Sequence, residues 1–357
     1  MNFWSVFHLP EARPCGSSSL RMSRASSLLA VLTPTEVREF LPEPLLGQVR
    51  GLVPEFRLIN PLELGAARFE AELAAVNPDV ILGCWKTPAL PEMLPPRLRY
   101  VCYITGSVKK LISRSHLERG LLVTNWGGSI SRTVAEAALF HILACLRNAS
   151  HWAHVMHQPG VAAWKNGLTD SRSLFCRSVG IHGFGPVARE LVGLLKAWKC
   201  PVTALAPDLT AELAHAYGIE RAPSLEALFA ENEIIVELAP LIPATQGIIN
   251  ERLLRLIRAG GVFVNVGRGA VVDEPALLRV AREGKISIGL DVYAVEPLPA
   301  DSGFRSLPNV SLTPHTAGPT IDRYPDAGTF AVKNLRAHVD GRPLEAVVTP
   351  EIYDQSS

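Results

Sequence analysis

The chain has 357 residues, 48% of them hydrophobic and 19% charged, enough for two hydrophobic cores with a cleft between them. Its 35 basic and 34 acidic residues leave a formal net charge of +1. That balance provides no long-range field for recruiting a nucleic acid or an anionic membrane. No apolar stretch is long enough to span a bilayer, and residues 1–9, interrupted by Asn2, Ser5 and His8, are too short and polar for a signal-peptide core. Cys15, Cys84, Cys102, Cys145, Cys176 and Cys200 include no C-x-x-C pair, so they read as reduced thiols of a cytoplasmic protein with no metal site.

Residues 1–25 are rich in Ser, Arg and Pro and lack periodicity, which predicts a disordered extension, with Met22 as an alternative start. Short apolar runs at 28–32, 80–83, 100–104 and 121–124 predict buried strands, each followed by polar or Pro/Gly punctuation. A Trp-Gly-Gly-Ser turn at 126–129 precedes a long apolar helix over 133–147, placed to bridge two lobes. A second series then alternates five strands (179–182, 202–205, 234–238, 262–265, 286–290) with helices at 187–198, 224–229, 251–257 and 274–283. Such alternation predicts a doubly wound, nucleotide-binding lobe. A helix over 323–339 and a tail at 341–348, free of antiparallel pairing, return to the first lobe.

Gly183-Phe184-Gly185-Pro186-Val187-Ala188 lies between a predicted strand and a helix carrying Val187, Leu191, Leu194, Leu195 and Trp198 on one face. The first two glycines allow a tight turn and close approach of a pyrophosphate, which the amides at the helix start would receive, and Ala188 is small enough for the helix to pack on the strand. Gly183, Gly185, Pro186 and Val187 are therefore candidate dinucleotide contacts. The second strand ends in Leu205-Ala206-Pro207-Asp208. Ala206 stands where a ribose-binding carboxylate is usual, and Asp208 lies slightly beyond. No Arg or Lys stands nearby for a 2′-phosphate, so NAD is the expected cofactor and NADP stays open.

Three segments in the last third of the chain follow predicted strands: Asn265-Val266-Gly267-Arg268-Gly269, Asp291-Val292-Tyr293-Ala294-Val295-Glu296-Pro297, and Thr313-Pro314-His315-Thr316-Ala317-Gly318. Open α/β sheets gather their ligands at the carboxyl ends of strands, so an Arg, a Glu and a His can converge there. Reducing a 2-oxo acid requires a cation for the carboxylate and keto oxygen, a proton donor and a hydride. Arg268 fits the first role through its fork of donors, and His315 fits the second because imidazole titrates near neutrality. Glu296 would hold one ring nitrogen and orient it. A lone His carries no such weight, but the complete set does. His141, His151, His154 and His157 have no Cys or carboxylate to complete a metal set and read as solvated helix and loop; Lys109, Lys110 and Arg114 read as a solvated patch.

These segments, together with Thr133-Val134-Ala135-Glu136, Trp164, Pro240-Leu241 with Thr245, and Gly341-Arg342-Pro343-Leu344, closely resemble the D-isomer-specific 2-hydroxyacid dehydrogenases over residues 28–348. The resemblance implies an α/β chain of two doubly wound parallel-sheet domains. A Rossmann-type cofactor domain (127–317) is inserted into a flavodoxin-like substrate domain (26–126 with 318–350). It further implies a homodimer built through the bridging helix, a small 2-oxo or 2-hydroxy acid such as glyoxylate, hydroxypyruvate or phosphohydroxypyruvate as partner, and catalytic roles for Arg268, Glu296 and His315. Asp291 would contact the cofactor carboxamide, and Pro240, Thr245 and Val266 would line the cofactor. Ser107 and Val108, with Arg268, would bind the substrate, although Thr105-Gly106-Ser107-Val108-Lys109 lacks the second Gly and the Asp-Asn of the commoner pattern. Leu238 replaces a frequent His, and Trp126 replaces a small residue, where it either narrows the cleft or packs between lobes. The family also contains NADH-sensing corepressors that keep the Arg, Glu and His, so a binding protein with little turnover is the alternative.

Overall fold

The computed structural model describes residues 25–159 and 171–355, so Trp164 and the N-terminal extension, apart from Ala25, lie outside the described residues. The first sheet contains β1 (Ser27–Val31), β2 (Glu55–Ile59), β3 (Val80–Gly83), β4 (Tyr100–Tyr103) and β5 (Leu122–Thr124) in the order β2-β1-β3-β4-β5. The second contains β6 (Val179–His182), β7 (Val202–Leu205), β8 (Glu220–Arg221), β9 (Ile234–Glu237), β10 (Val262–Asn265), β11 (Ser287–Leu290) and β12 (Val310–Leu312), ordered β12-β11-β10-β9-β6-β7-β8. All pairings within both sheets are parallel. The first order is that of flavodoxin-like sheets. The second, counted outward from β6, is the doubly wound dinucleotide order with one strand added at an edge.

Crossover helices cover both faces of such sheets, so inner strands become uninterrupted apolar runs. β1, β3, β4, β6, β9 and β10 are buried along their whole length. Each fully buried Leu, Ile or Val there contributes about 1.5–3 kcal/mol relative to exposure. The second sheet has seven strands rather than the five predicted, the additions being β8 and β12 at its two edges. β8 is two exposed residues, Glu220 and Arg221, with no apolar signal. In the first sheet, edge strand β2 is partly exposed and was likewise absent from the predicted strands.

The helix Ser131–Leu146 joins the two sheets and packs on the helix Pro186–Leu195 and on β11. Gly289 in β11 makes that packing possible, because a Cβ there would lie 2.6 Å from His141 Cβ. After the second sheet, the helix Tyr324–Val339 returns to the helix Pro34–Phe40. Gly328 permits the contact, since a Cβ would lie 1.7 Å from the Phe40 carbonyl oxygen. The tail then reaches β5, but by an antiparallel bridge, Thr124 to Val347, contrary to the expectation of no antiparallel pairing. The reason is local: the Asn334 side chain fixes Glu345 by two hydrogen bonds, and the Val348 amide donates to the Val123 carbonyl at 2.8 Å, so the returning chain runs against β5.

Candidate active site

The glycine-rich turn leaves β6 at the point where the order of the second sheet reverses. Gly183 has φ +89°, and a Cβ on it would lie 2.7–2.8 Å from the backbone of Leu238 and Ala239. Only glycine fits between β6 and the segment after β9. Gly185, by contrast, faces open space. It precedes the helix Pro186–Leu195, whose N-terminus has no side-chain cap, so the first-turn amide of the half-buried Val187 has no side-chain acceptor and lies next to a residue without a side chain. That combination fits a pyrophosphate. Pro240 and Thr245 close the neighbouring loop, with the Thr245 hydroxyl donating to the Pro240 carbonyl at 2.5 Å and accepting from the Ile242 amide at 2.9 Å. Val266, after β10, is buried.

Beneath this turn is a pair that was not anticipated. His182 ends β6 and Glu237 ends β9, both are buried, and Nδ1 lies 2.6 Å from Glu237 Oε2, while Oε1 accepts from the Ala239 amide. Burial works against a charged imidazole, but the Glu237 charge and hydrogen bond outweigh it and raise the His182 pKa. The pair joins the two strands that flank the switch point.

Glu296, in the segment after β11, and His315, in the segment after β12, come together at the carboxyl ends of their strands. His315 Nδ1 lies 2.6 Å from Glu296 Oε2, and Glu296 Oε1 accepts from the Tyr293 amide at 3.0 Å. Nδ1 faces a carboxylate and is assigned the hydrogen on that ground, which leaves Nε2 as the ring nitrogen that Glu296 does not engage. His315 has φ +55°, a left-handed conformation that a non-glycine residue adopts only when its surroundings impose it. Asp291 supplies the constraint. Fully buried, it accepts hydrogen bonds from the Thr313 hydroxyl (2.6 Å) and the Thr316 (2.8 Å) and Ala317 (2.9 Å) amides, while its carbonyl accepts from the His315 amide at 2.8 Å.

Arg268 follows β10 in extended backbone. The Asn265 side chain shapes its turn, accepting from the Gly267 amide at 3.0 Å and donating to the Arg268 carbonyl at 3.1 Å. Gly269 lets this segment press on the loop carrying Glu296, since a Cβ there would lie 2.0 Å from Tyr293 carbonyl carbon. The Arg268 guanidinium donates to the Gly267 carbonyl at 2.8 Å. Burial lowers its pKa and the Glu296 charge acts in the opposite sense, so Arg268 stays a cation that shares the field of the His315 partner.

His141 corrects one expectation. It is fully buried rather than solvated, because it faces the sheet from the bridging helix above Gly289. Its Nδ1 lies 3.0 Å from the Ser311 hydroxyl and its Nε2 lies 2.9 Å from Thr313 Oγ1, which in turn donates to Asp291. A helix-spaced His in an apolar run gave the only signal, and it needed a polar partner that sequence spacing does not reveal. His154 and His157 are exposed, as expected.

In the first lobe, Ser107 is half-buried and the Val108 side chain is buried in the core, so Val108 can offer substrate only its backbone. Trp126 packs beside that loop: a Cβ on Gly106 would lie 2.8–2.9 Å from its indole. Two residues on, Gly128 approaches Pro186 of the cofactor turn, 3.5 Å from its Cβ if it carried a Cβ of its own. The 105–109 loop, the Trp126 turn and the glycine-rich turn thus follow one another in contact, Gly106 against Trp126 and Gly128 against Pro186.

Residues 139–317 match the family model described as D-isomer specific 2-hydroxyacid dehydrogenase, NAD binding domain. A hydroxyphenylpyruvate reductase of Plectranthus scutellarioides is 31% identical over 293 residues, 81% of this chain and 91% of that protein. A glyoxylate/hydroxypyruvate reductase of Arabidopsis thaliana is 29% identical over 251 residues, covering 70% and 78% of the two chains. Among solved structures, apo D-mandelate dehydrogenase of Rhodotorula graminis superposes with a TM-score of 0.78 at 21% identity, covering 91% of this chain and 97% of the other, which shows the shared fold. The chain belongs to the D-isomer-specific 2-hydroxyacid dehydrogenase family. It is an oxidoreductase that uses a nicotinamide cofactor on 2-oxo and 2-hydroxy acids.

The buried His141 gives a pH prediction. Burial lowers its pKa from 6.5 to about 4, with Asp291 acting in the opposite sense. Because the folded value is the lower one, the stabilisation is complete above pH about 6.5 and is lost as pH falls toward about 4, a contribution of about 3 kcal/mol at ~1.4 kcal/mol per pKa unit. Urea unfolding of the native chain and of His141→Gln should therefore diverge in pH slope over this interval, the variant being flatter; parallel slopes would contradict it.

Proposed function

We propose that the enzyme reduces a 2-oxo acid to the D-2-hydroxy acid, with His315 as the proton donor. The observation that carries this is the 2.6 Å contact of His315 Nδ1 with Glu296, which directs Nε2 outward from a loop held by Asp291. Gly183, Gly185, Pro186, Val187, Pro240, Thr245 and Val266 would line the cofactor, and the remaining acceptor capacity of Asp291 would face its carboxamide. When bound, the nicotinamide supplies the hydride. Arg268 holds the substrate carboxylate and polarises the keto group, a role for a planar fork of donors. Ser107 and Val108 add backbone amides from the first lobe. As C2 receives the hydride, the C=O π pair moves to oxygen, and that oxygen takes the proton from His315 Nε2. Glu296 keeps the ring oriented throughout. The reverse reaction returns the proton to Nε2.

We further propose a homodimer formed over the bridging helix, where Phe140 is 54% exposed, and a reducing compartment such as the cytoplasm, in keeping with the free thiols of Cys84, Cys102, Cys145, Cys176 and Cys200. The described helices include none long and apolar enough to cross a membrane. The relatives named above bear the names of reductases and dehydrogenases, which gives the sensor alternative no support.

With NADH or NADPH and a panel of 2-oxo acids, His315→Ala should lower kcat by roughly 10²–10⁴-fold, the range of general acid catalysis, while cofactor affinity measured by fluorescence stays within a few-fold. Arg268→Lys should lower kcat/KM at least about tenfold. Undiminished turnover in His315→Ala would remove the proposed acid. Light scattering should give twice the mass of one chain, and a single-chain mass would rule out the dimer.

A further inference from the structure

A cluster of aromatic rings at the carboxyl edge of the first sheet has no part in the chemistry above. Trp85 follows β3, between the carboxyl ends of β1 and β4 in the order of the sheet. Its ring centroid lies 5.2 Å from Phe40, 5.9 Å from Tyr324 and 6.4 Å from Trp126, all three edge to face. Phe40 and Tyr324 are also in contact, at 4.6 Å. Phe40 is buried, but Trp85 is 47% exposed. An indole serving only to fill the core would be covered, and one in a loose surface loop would not be held.

Trp85 is held firmly. The Cys84 amide on one side donates to Thr87 Oγ1 at 2.8 Å, and the Lys86 amide on the other donates to the buried Glu36 carboxylate at 2.9 Å. Thr87 Oγ1 donates to the Val31 carbonyl at 2.9 Å, and Glu36 also accepts from the Thr33 amide at 2.8 Å. Two buried side chains thus clasp the loops after β1 and β3 into one rim, on which the indole stands in a fixed position. Its neighbour Trp126 lies against Gly106 of the loop that would receive the substrate carboxylate.

We infer that Trp85, backed by Trp126 and Tyr324, is the specificity surface for the substituent on C2 of the substrate, and that it selects a 2-oxo acid with an aromatic or bulky apolar side chain over glyoxylate or hydroxypyruvate. This rests on the proposed 2-oxo acid reduction. A carboxylate seated on the Gly106 loop lies next to the Trp126 ring, so a substituent extending from C2 meets apolar ring faces that only an apolar group leaves desolvated without loss. A phosphorylated acid would need cations instead: Lys109 of the loop lies over the Tyr353 ring at 5.7 Å, and the exposed Lys86 beside Trp85 makes the phosphorylated acid the competing substrate in the test.

The test compares kcat/KM for phenylpyruvate, 4-methyl-2-oxopentanoate, glyoxylate, hydroxypyruvate and phosphohydroxypyruvate in the native chain, Trp85→Ala and Trp85→Phe, with thermal unfolding of each. The native enzyme should favour the first two acids at least about tenfold over the other three, the size of discrimination an apolar pocket supports. Trp85→Ala should reduce that ratio at least tenfold, and Trp85→Phe should keep it within about threefold. Native preference for glyoxylate, hydroxypyruvate or the phosphorylated acid, or an unchanged ratio in Trp85→Ala, overturns the inference and leaves the reductase reading standing. Turnover of no acid overturns both.

Discussion

The Asp291 carboxylate is the interaction on which the candidate site depends. It is fully buried just after β11 and accepts three hydrogen bonds from the residues around His315: one from the Thr313 hydroxyl and one from each of the Thr316 and Ala317 amides. A buried carboxylate is tolerable only when hydrogen-bonded in this way, and breaking such an arrangement is costly. That asymmetry is what holds His315 in left-handed backbone. With the ring so placed, its one contact with Glu296 engages Nδ1 and leaves Nε2 unengaged by that carboxylate. His141 extends the same network through Thr313 to the bridging helix, so the packing of that helix on β11 and the position of His315 are linked by one set of hydrogen bonds.

Close backbone approach is the second constraint, and it is met by glycines at the junctions that matter. Gly183 admits the segment after β9, Gly269 admits the loop carrying Glu296, and Gly289 admits His141. Each brings two elements of the fold into closer approach than a side chain would allow. Gly185 differs from these: nothing in the protein lies where its side chain would be, and the proposed cofactor contact would use that space. The same reasoning separates structural from ligand-facing aromatics in the first lobe, where Phe40 is buried and Trp85 is half open on a clasped rim.

Much of this was legible in the chain. Inner strands such as β6 and β10 announce themselves as continuous apolar runs because both faces are covered, and their predicted limits match the structure. Edge strands β2 and β8 do not, since half-exposed or charged residues pair there through backbone alone. Arg268, Glu296 and His315 were visible because each follows a strand in a distinctive segment. His141, His182 and Glu237 were not: their roles arise from pairings 170, 55 and 55 residues apart in sequence, and a polar residue in an apolar run does not disclose its partner. The Asn265 turn had a signal, an Asn two residues before Gly, that only its geometry made meaningful. Trp126 was recognised as unusual, and its contact with Gly106 shows what it packs against.

Stopped-flow measurement of single-turnover hydride transfer in Asp291→Asn, with NADH affinity followed alongside, probes the dependence of His315 on Asp291 most directly. The amide keeps the size of the side chain but brings a donor against the Thr316 and Ala317 amides. Transfer should slow at least about 100-fold, within the range for a mispositioned general acid. A rate within threefold of the native enzyme would show that the loop and its His315 hold their geometry without the carboxylate.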